Sequence, residues 1–191
     1  MKHSAFTVLY DACVLYPAPL RDLLVWLGLS GRFRARWSTR IHEEWKRNLL
    51  KNRPDLSRRQ LDRTSALMDA AIPDAVVHGY EDLMAGLALP DPDDRHVVAA
   101  AIRCNASVIV TFNLVDFPSR VLEPLGMEAQ HPDAFVENLL DLDTAAVVRA
   151  AQNQRRTLRN PAQSASAYLE TLVRHGLPRT AGCLAPYRTT L

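Results

Sequence analysis

Cysteine and glycine are scarce in this sequence, and no long apolar run interrupts it. The three cysteines among 191 residues, Cys13, Cys104 and Cys183, are odd in number and widely spaced. They form no C-x-x-C pair, which argues against a disulfide framework and against a thiolate zinc site. A reducing compartment, the cytoplasm, is therefore expected. No stretch approaches the roughly 20 apolar residues of a membrane span, and Met1-Lys2-His3 leads straight into a strand-like run shorter than a signal peptide's apolar core. No membrane association and no export are expected. The seven glycines form no phosphate-binding loop, and there is no internal repeat, low-complexity tract or recognisable nucleophile triad. His42, His96 and His131 show no ligand spacing to one another, so each is read as a surface or packed histidine rather than as a metal ligand or general base.

A chain of this length with 48% hydrophobic residues can bury one substantial core. The formal net charge of +2 hides strong segregation. Residues 30–64 carry 11 Lys and Arg against 4 Asp and Glu, residues 65–144 carry 3 against 14, and residues 145–191 carry 7 against 1. Such unequal stretches suit a polyanion bound beside an acidic, cation-filled site. They are equally compatible with mutual neutralisation across the fold or with solvated helix faces.

Strand and helix signals alternate. Phe6 to Tyr10 reads as a short buried strand, and Pro19 to Leu29, with Leu20, Leu23, Leu24 and Leu27 at 3/4 spacing, as an amphipathic helix. Helices are expected from Thr39 to about Asn52 and, capped by Ser57, to Ala71, where Pro73 ends the run before a strand at Ala75-Val76-Val77. Next come a helix from Asp91 to Cys104, a strand from Ser107 to Thr111, a short edge strand around Met127 to Gln130, and a helix from Pro132 to about Leu140. This order predicts an α/β fold, a mainly parallel sheet flanked by helices. After residue 143 the composition changes to helices from Thr144 to Leu158 and from Asn160-Pro161, read as N-cap and first helical position, to Gly176 and Pro178. Residues 1–142 are thus expected to form one α/β domain and 143–191 a helical extension.

Four acids occupy informative places: Asp11 ends the first strand, Glu44 lies on a helix, Asp94 opens another, and Asp116 follows the strand ending at Thr111. Ligands of parallel α/β sheets bind beyond the carboxyl ends of the strands, where Asp11 and Asp116 stand. Asp94 has a rival reading, because Asp91, Pro92, Asp93 and Asp94 also satisfy helix capping and the macrodipole. Yet Asp94 aligns with Val97, Val98 and Ala101 on the apolar stripe. Asp91 reads first as a cap and second as an accessory ligand. On the preceding acidic helix Ile41, Trp45 and Leu49 define the buried face; Glu44 lies at its edge and Glu43 nearly opposite, so Glu44 is preferred and Glu43 is the alternative register. Thr111 and Asn113 can orient a carboxylate or serve only turn chemistry. Trp26 and Trp45 read as core, whereas Trp37, between Arg36 and Ser38, is kept as a candidate contact to the bound polyanion.

The stretches Tyr10-Asp11-Ala12-Cys13-Val14-Leu15, Ser38-Thr39-Arg40-Ile41-His42-Glu43-Glu44, Asp91-Pro92-Asp93-Asp94-Arg95-His96 and Thr111-Phe112-Asn113-Leu114-Val115-Asp116 resemble the four acidic motifs of PIN-domain metal-dependent ribonucleases, many bacterial members of which are VapC-type toxins. The resemblance covers roughly residues 5–140, and the tail resembles the extension of some longer VapC-like toxins. It implies a three-layer, Rossmann-like PIN domain and an Mg²⁺- or Mn²⁺-dependent endoribonuclease of a toxin-antitoxin pair. Asp11, Glu44, Asp94 and Asp116 would be catalytic and metal-binding, with Asp91, Thr111 and Asn113 accessory. It further implies a homodimer and an antitoxin that places a basic side chain among the acids. Independently of the family, an all-oxygen carboxylate set suits Mg²⁺ or Mn²⁺ rather than zinc. Arg32, Arg34 and Arg36 are the expected RNA-phosphate contacts. A haloacid-dehalogenase-like phosphatase, which needs a second Asp where Cys13 stands, ranks below this reading. A PIN-like RNA-processing nuclease that is not a toxin, or a non-catalytic RNA- or partner-binding PIN domain, is the alternative.

Overall fold

A computed structural model describes residues 6–159 and 161–191. Strand β1 (Thr7–Tyr10) is buried at every position, and so is β4 (Val108–Val110). Successive strand side chains point to opposite faces, so unbroken burial means that helices cover both faces of the sheet. With β2 (Arg34–Ser38), β3 (Val76–Val77) and β5 (Glu128–Gln130), these strands form one five-stranded sheet in the order β3-β2-β1-β4-β5. Every pairing is parallel, as the alternation of strand and helix signals leads one to expect. The order runs one way from β1 to β3 and the other way from β4 to β5, which makes the gap between β1 and β4 the topological switch point.

The helices follow the apolar periodicity. α1 (Ala12–Leu15) turns directly out of β1, and α2 (Ala18–Gly28) buries Leu20, Leu23, Leu24 and Leu27. α3 (Thr39–Asn52) begins at Ser38, whose side chain accepts from the Ile41 N–H, and α4 (Arg58–Ala71) begins with a full Ser57–Gln60 capping box. α5 (Arg95–Arg103) is preceded by a single 3₁₀ turn, Pro92–Asp94, so the helix expected from Asp91 starts four residues later. α6 (Ser119–Leu122) and a 3₁₀ turn lead to β5 at the sheet edge. The chain closes with α7 (Pro132–Thr157), α8 (Ala165–Arg174) and α9 (Pro178–Leu184).

Four expectations need correction. β2 is an unexpected strand, although apolar Ala35 and Trp37 alternate with Arg34 and Arg36; only Ala35, Trp37 and Ser38 are buried, and the sheet neighbours β1 and β3 supply its backbone partners. Trp37 is core: it is fully buried, stacks on Tyr10 with ring centroids 6.3 Å apart, and donates its indole N–H to Asp69 at 2.7 Å. Trp26, expected in the core, is only half-buried. The two helices expected from Pro132 to about Leu140 and from Thr144 to Leu158 are present as the two halves of α7, which is interrupted at Asp143 (φ −156°, ψ 84°), whose carboxylate caps the second half by accepting from the Ala146 N–H. Near α8, the expected cap Asn160 lies outside the described residues; Ser164 is the cap instead, and Pro161 sits in a turn. The stop at Gly176 is as expected: its φ of 84° is the left-handed value that ends a helix, and the Leu177 N–H reaches back to the Leu172 carbonyl.

The carboxyl-terminal helices dock on their own chain. α7 packs on α2 and on α9. Buried Asp133 on α7 accepts from the Arg179 and Thr180 N–H groups and from the Thr180 hydroxyl, which satisfies the start of α9. Buried Gln154 donates to the Pro19 carbonyl in the first turn of α2 and accepts from Tyr168 on α8. These polar anchors lie inside apolar surroundings, where an unpaired group would be costly.

Candidate active site

Asp11 follows β1 at the switch point, is 3% exposed, and serves as the N-cap of α1. Its Oδ1 accepts from the Ala12 N–H at 2.6 Å. Its Oδ2 accepts from the Thr111 hydroxyl at 2.8 Å and from the Cys13 thiol at 2.9 Å. Burial raises its pKa above the usual carboxylate value; the Cys13 and Thr111 hydrogen bonds oppose that shift, and Glu44 adds to it. Burial, and then the Asp11 charge, push the Cys13 thiol up, so it stays protonated and keeps donating. The Phe112 N–H donates to the same sulfur at 3.2 Å, which ties α1 to the end of β4.

Thr111 is fully buried and organises the second strand end. Its hydroxyl accepts from the Asn113 N–H at 3.0 Å while donating to Asp11, and the Asn113 carbonyl accepts from the Asp116 N–H at 3.1 Å. Thr111 thus orients Asp11 directly, and Asn113 opens the turn that carries Asp116. The Asn113 side chain is exposed; its part in this geometry comes from its backbone.

Asp94 shows that the acids share one field. Its carboxyl is pushed up to about 7, first by partial burial and then by the charges of Asp11, Asp91, Asp116 and Glu44. The capping alternative does not account for it: Asp91 makes the cap, accepting from the Asp93 N–H at 2.8 Å, while Asp94, at the start of α5, makes no side-chain capping bond. A cation at this point would restore the charged form of Asp94. The donor set is all oxygen, as hard divalent cations require. As the side chains stand, no three His, Cys, Asp or Glu residues among the described residues close around one point as metal ligands.

The two adjacent glutamates part company. Glu44 Oε2 lies 3.2 Å from His96 Nε2 and faces α5, whereas Glu43 contacts Lys46 and Arg58 on the α3–α4 side. His96 is 2% exposed, and its Nδ1 is buried with no hydrogen-bond partner among the described residues. Sequence reasoning set His96 aside as surface or packed. The signal was its place at the head of the apolar run Val97-Val98-Ala99-Ala100-Ala101, because a buried ring needs a polar partner. Cys13 was likewise considered for disulfide or zinc chemistry and as a departure from a phosphatase motif, but not as a donor to Asp11, although it stands two residues after it.

Arg32, Arg34 and Arg36 are not brought to the acids. Arg34 pairs in register with Thr7 and Arg36 with Leu9, so both precede the strand ends beyond which Asp11 stands. Both act electrostatically on Cys104 at the far end of α5, about 15 Å of helix from Asp94 at 1.5 Å per residue. Arg32 is exposed and pairs with Asp143 at 2.5 Å. No helix among the described residues is long and apolar enough to cross a membrane.

The chain is similar to known proteins in two regions. The profile of the PIN domain matches residues 7–114, and that of the VapC50 C-terminal domain matches residues 132–186. A Mycobacterium tuberculosis protein, "Putative ribonuclease VapC50", is 48% identical over 68 residues, a match that spans 36% of this chain and 40% of the relative. No solved structure matches the chain.

Proposed function

The chain belongs to the PIN-domain family, and from that premise we propose that it is a divalent-metal-dependent endoribonuclease, the toxin of a VapBC-type pair. The observation that carries the reading is the electrostatic coupling of the acids at Asp94, whose carboxyl is pushed up to about 7 first by partial burial and then by the charges of Asp11, Asp91, Asp116 and Glu44, with Asp11 at the β1/β4 switch point. The similarity to "Putative ribonuclease VapC50" and the match of its C-terminal domain support the same assignment.

In this reading the four acids hold Mg²⁺ or Mn²⁺, with Asp91, Thr111 and Asn113 accessory. When bound, such an ion acidifies water and offsets the negative charge that develops on a phosphodiester in displacement. The chain's own residues do the positioning. Thr111 and Cys13 fix Asp11 Oδ2, and the Ala12 N–H fixes Oδ1. His96 engages Glu44 Oε2, which leaves Oε1 as the atom free to orient the attacking water. No side-chain nucleophile is required.

We assign residues 143–191 to a helical extension, supported by the bend at Asp143, although the C-terminal profile already begins at residue 132. The further members of the proposal are an antitoxin that inserts a basic side chain among the acids, a homodimeric toxin and a cytoplasmic location. The test is cleavage of RNA by the purified chain with Mg²⁺ or Mn²⁺, stopped by chelator and absent from Asp11→Asn. RNA binding without cleavage in any divalent metal would instead support the non-catalytic alternative.

A further inference from the structure

The ion pairs sort the basic segment into two groups. Lys46 and Arg58 are shared between Glu43 and Asp62, Arg53 is held by Asp55, and Arg32 by Asp143. Arg40, Arg47 and Lys51 on α3 take part in none of the ion pairs found among the described residues, and all three are exposed. They stand at i−4, i+3 and i+7 from Glu44, which at about 100° per residue places them within about 60° of it. All three lie on the side away from buried Ile41, Trp45 and Leu49.

Glu44 therefore stands on the border of two stripes. One is apolar and faces the core. The other is cationic, faces solvent, and extends along α3 for about 16 Å at 1.5 Å per residue, from one side of Glu44 to the other. Three cations without protein partners beside four carboxylates are unexpected as mutual neutralisation, because the acids and these cations do not pair. They fit a strand whose backbone phosphates need cations while one phosphodiester reaches the acids. The other cations of this segment outside the ion pairs found among the described residues lie elsewhere: Arg34 and Arg36 toward the opposite end of α5 from Asp94, and Arg59 and Arg63 on α4, not on the α3 stripe that holds Glu44.

We propose that Arg40, Arg47 and Lys51 form the track along which single-stranded RNA is held across Glu44, and that this track replaces Arg32, Arg34 and Arg36 as the phosphate-contacting surface. The inference rests on the ribonuclease reading and names where its substrate lies. The contacts go to phosphates, so they carry affinity and orientation without base preference.

The test uses the full chain with Asp11→Asn, so that RNA is held and not cut, and a labelled mixed-sequence single-stranded RNA of about 20 nucleotides, titrated at several salt concentrations. Each phosphate contact contributes about 0.7 to the log-log salt slope for a single strand, so Arg40→Gln, Arg47→Gln and Lys51→Gln together flatten it by about 2 and weaken binding about tenfold or more near 0.1 M salt. The charge-keeping variant with Arg40→Lys and Arg47→Lys retains the slope. The combination of Arg32→Gln, Arg34→Gln and Arg36→Gln leaves it near the parent value. The α3 substitutions are at exposed positions, and an unchanged melting temperature verifies that the fold persists. An unchanged slope in the α3 variant overturns the track. If protein with Asp11 intact still cuts RNA in a metal-dependent way, the ribonuclease reading survives that loss. Equal flattening from the β2 arginines also overturns the track, and a parent chain that holds no single-stranded RNA at low salt overturns both.

Discussion

Two clusters of charged side chains face each other across α3, and they differ in one respect that matters. Around Lys46, Glu43 and Asp62 share two cations, Lys46 and Arg58, and both carboxyls are held below their usual values, first by the hydrogen bond from Lys46. Around Asp94 four further carboxylates act on one another with no Lys or Arg ion pair among the described residues, and the Asp94 carboxyl rises to about 7. Glu43 and Glu44 are adjacent in sequence and belong to opposite clusters. A balanced cluster fastens one helix to another. An unbalanced one costs the fold free energy, and in the function proposed above a bound cation would supply the missing positive charge.

Exchange within the unbalanced cluster is the strongest way to sharpen this contrast. Asp11→Asn, Asp94→Asn and Asp116→Asn are each expected to lower RNA cleavage by a factor on the order of 10² or more, since each removes ligand charge at constant volume. Circular dichroism should remain native. Turnover near wild type in Asp94→Asn would leave that residue without a catalytic role. Glu44→Gln should reduce cleavage far more than Glu43→Gln, and the reverse ranking would transfer the role to Glu43.

The balanced cluster should respond in stability instead. Lys46→Met leaves Glu43 and Asp62 with Arg58 alone and removes the buried ammonium, costing about 2 kcal/mol in urea unfolding while cleavage per folded molecule stays close to wild type. A loss of cleavage without a loss of stability would erase the distinction between the clusters.

The two clusters should also oppose each other in pH. Asp94 has a folded pKa of about 7 against 3.8 for the ordinary group, so folding favours its protonated form. Its contribution is fully present below about pH 3.8 and is lost as pH rises through about 7. Glu43 and Asp62 are depressed, so theirs is present above the ordinary carboxylate range and is lost as pH falls through their lowered values. In chelator, stability measured from pH 5 to 8 should decline in the wild type and decline less in Asp94→Asn. Saturating Mg²⁺ should also reduce the decline, because the cation competes with the proton. Parallel curves for the two proteins in chelator would refute the assignment.

The smallest effect concerns His96. His96→Gln keeps a donor for Glu44 and should lower kcat modestly with KM unchanged, whereas His96→Leu removes the donor and should lower kcat further. Equal kcat in both variants would mean that the ring only fills space.

Local pattern carried much of this. The leucines of α2, the Ser57 capping box and the Gly176 stop are nearest-neighbour features, and each is where short-range spacing places it. β2 and the residue before it show a period of two, with Phe33, Ala35 and Trp37 alternating with Arg34 and Arg36, but the place of β2 between β1 and β3 is set by pairing with residues far away in the chain. The roles of Trp37 and His96 were hidden for a related reason: their partners, Asp69 and Glu44, lie 32 and 52 residues away.

By itself the sequence determined the alternation of strand and helix, and hence a parallel sheet with acids at its carboxyl ends, because those outcomes follow from apolar period and strand polarity. Only the tertiary structure decided which acids share a field. It put Glu44 against His96 and Glu43 against Lys46, and among the described residues it left Arg40, Arg47 and Lys51 without ion-pair partners while pairing Arg32 with Asp143. The reason is physical: charge interactions depend on distance and burial across elements far apart in the chain, and neither quantity is a property of local spacing.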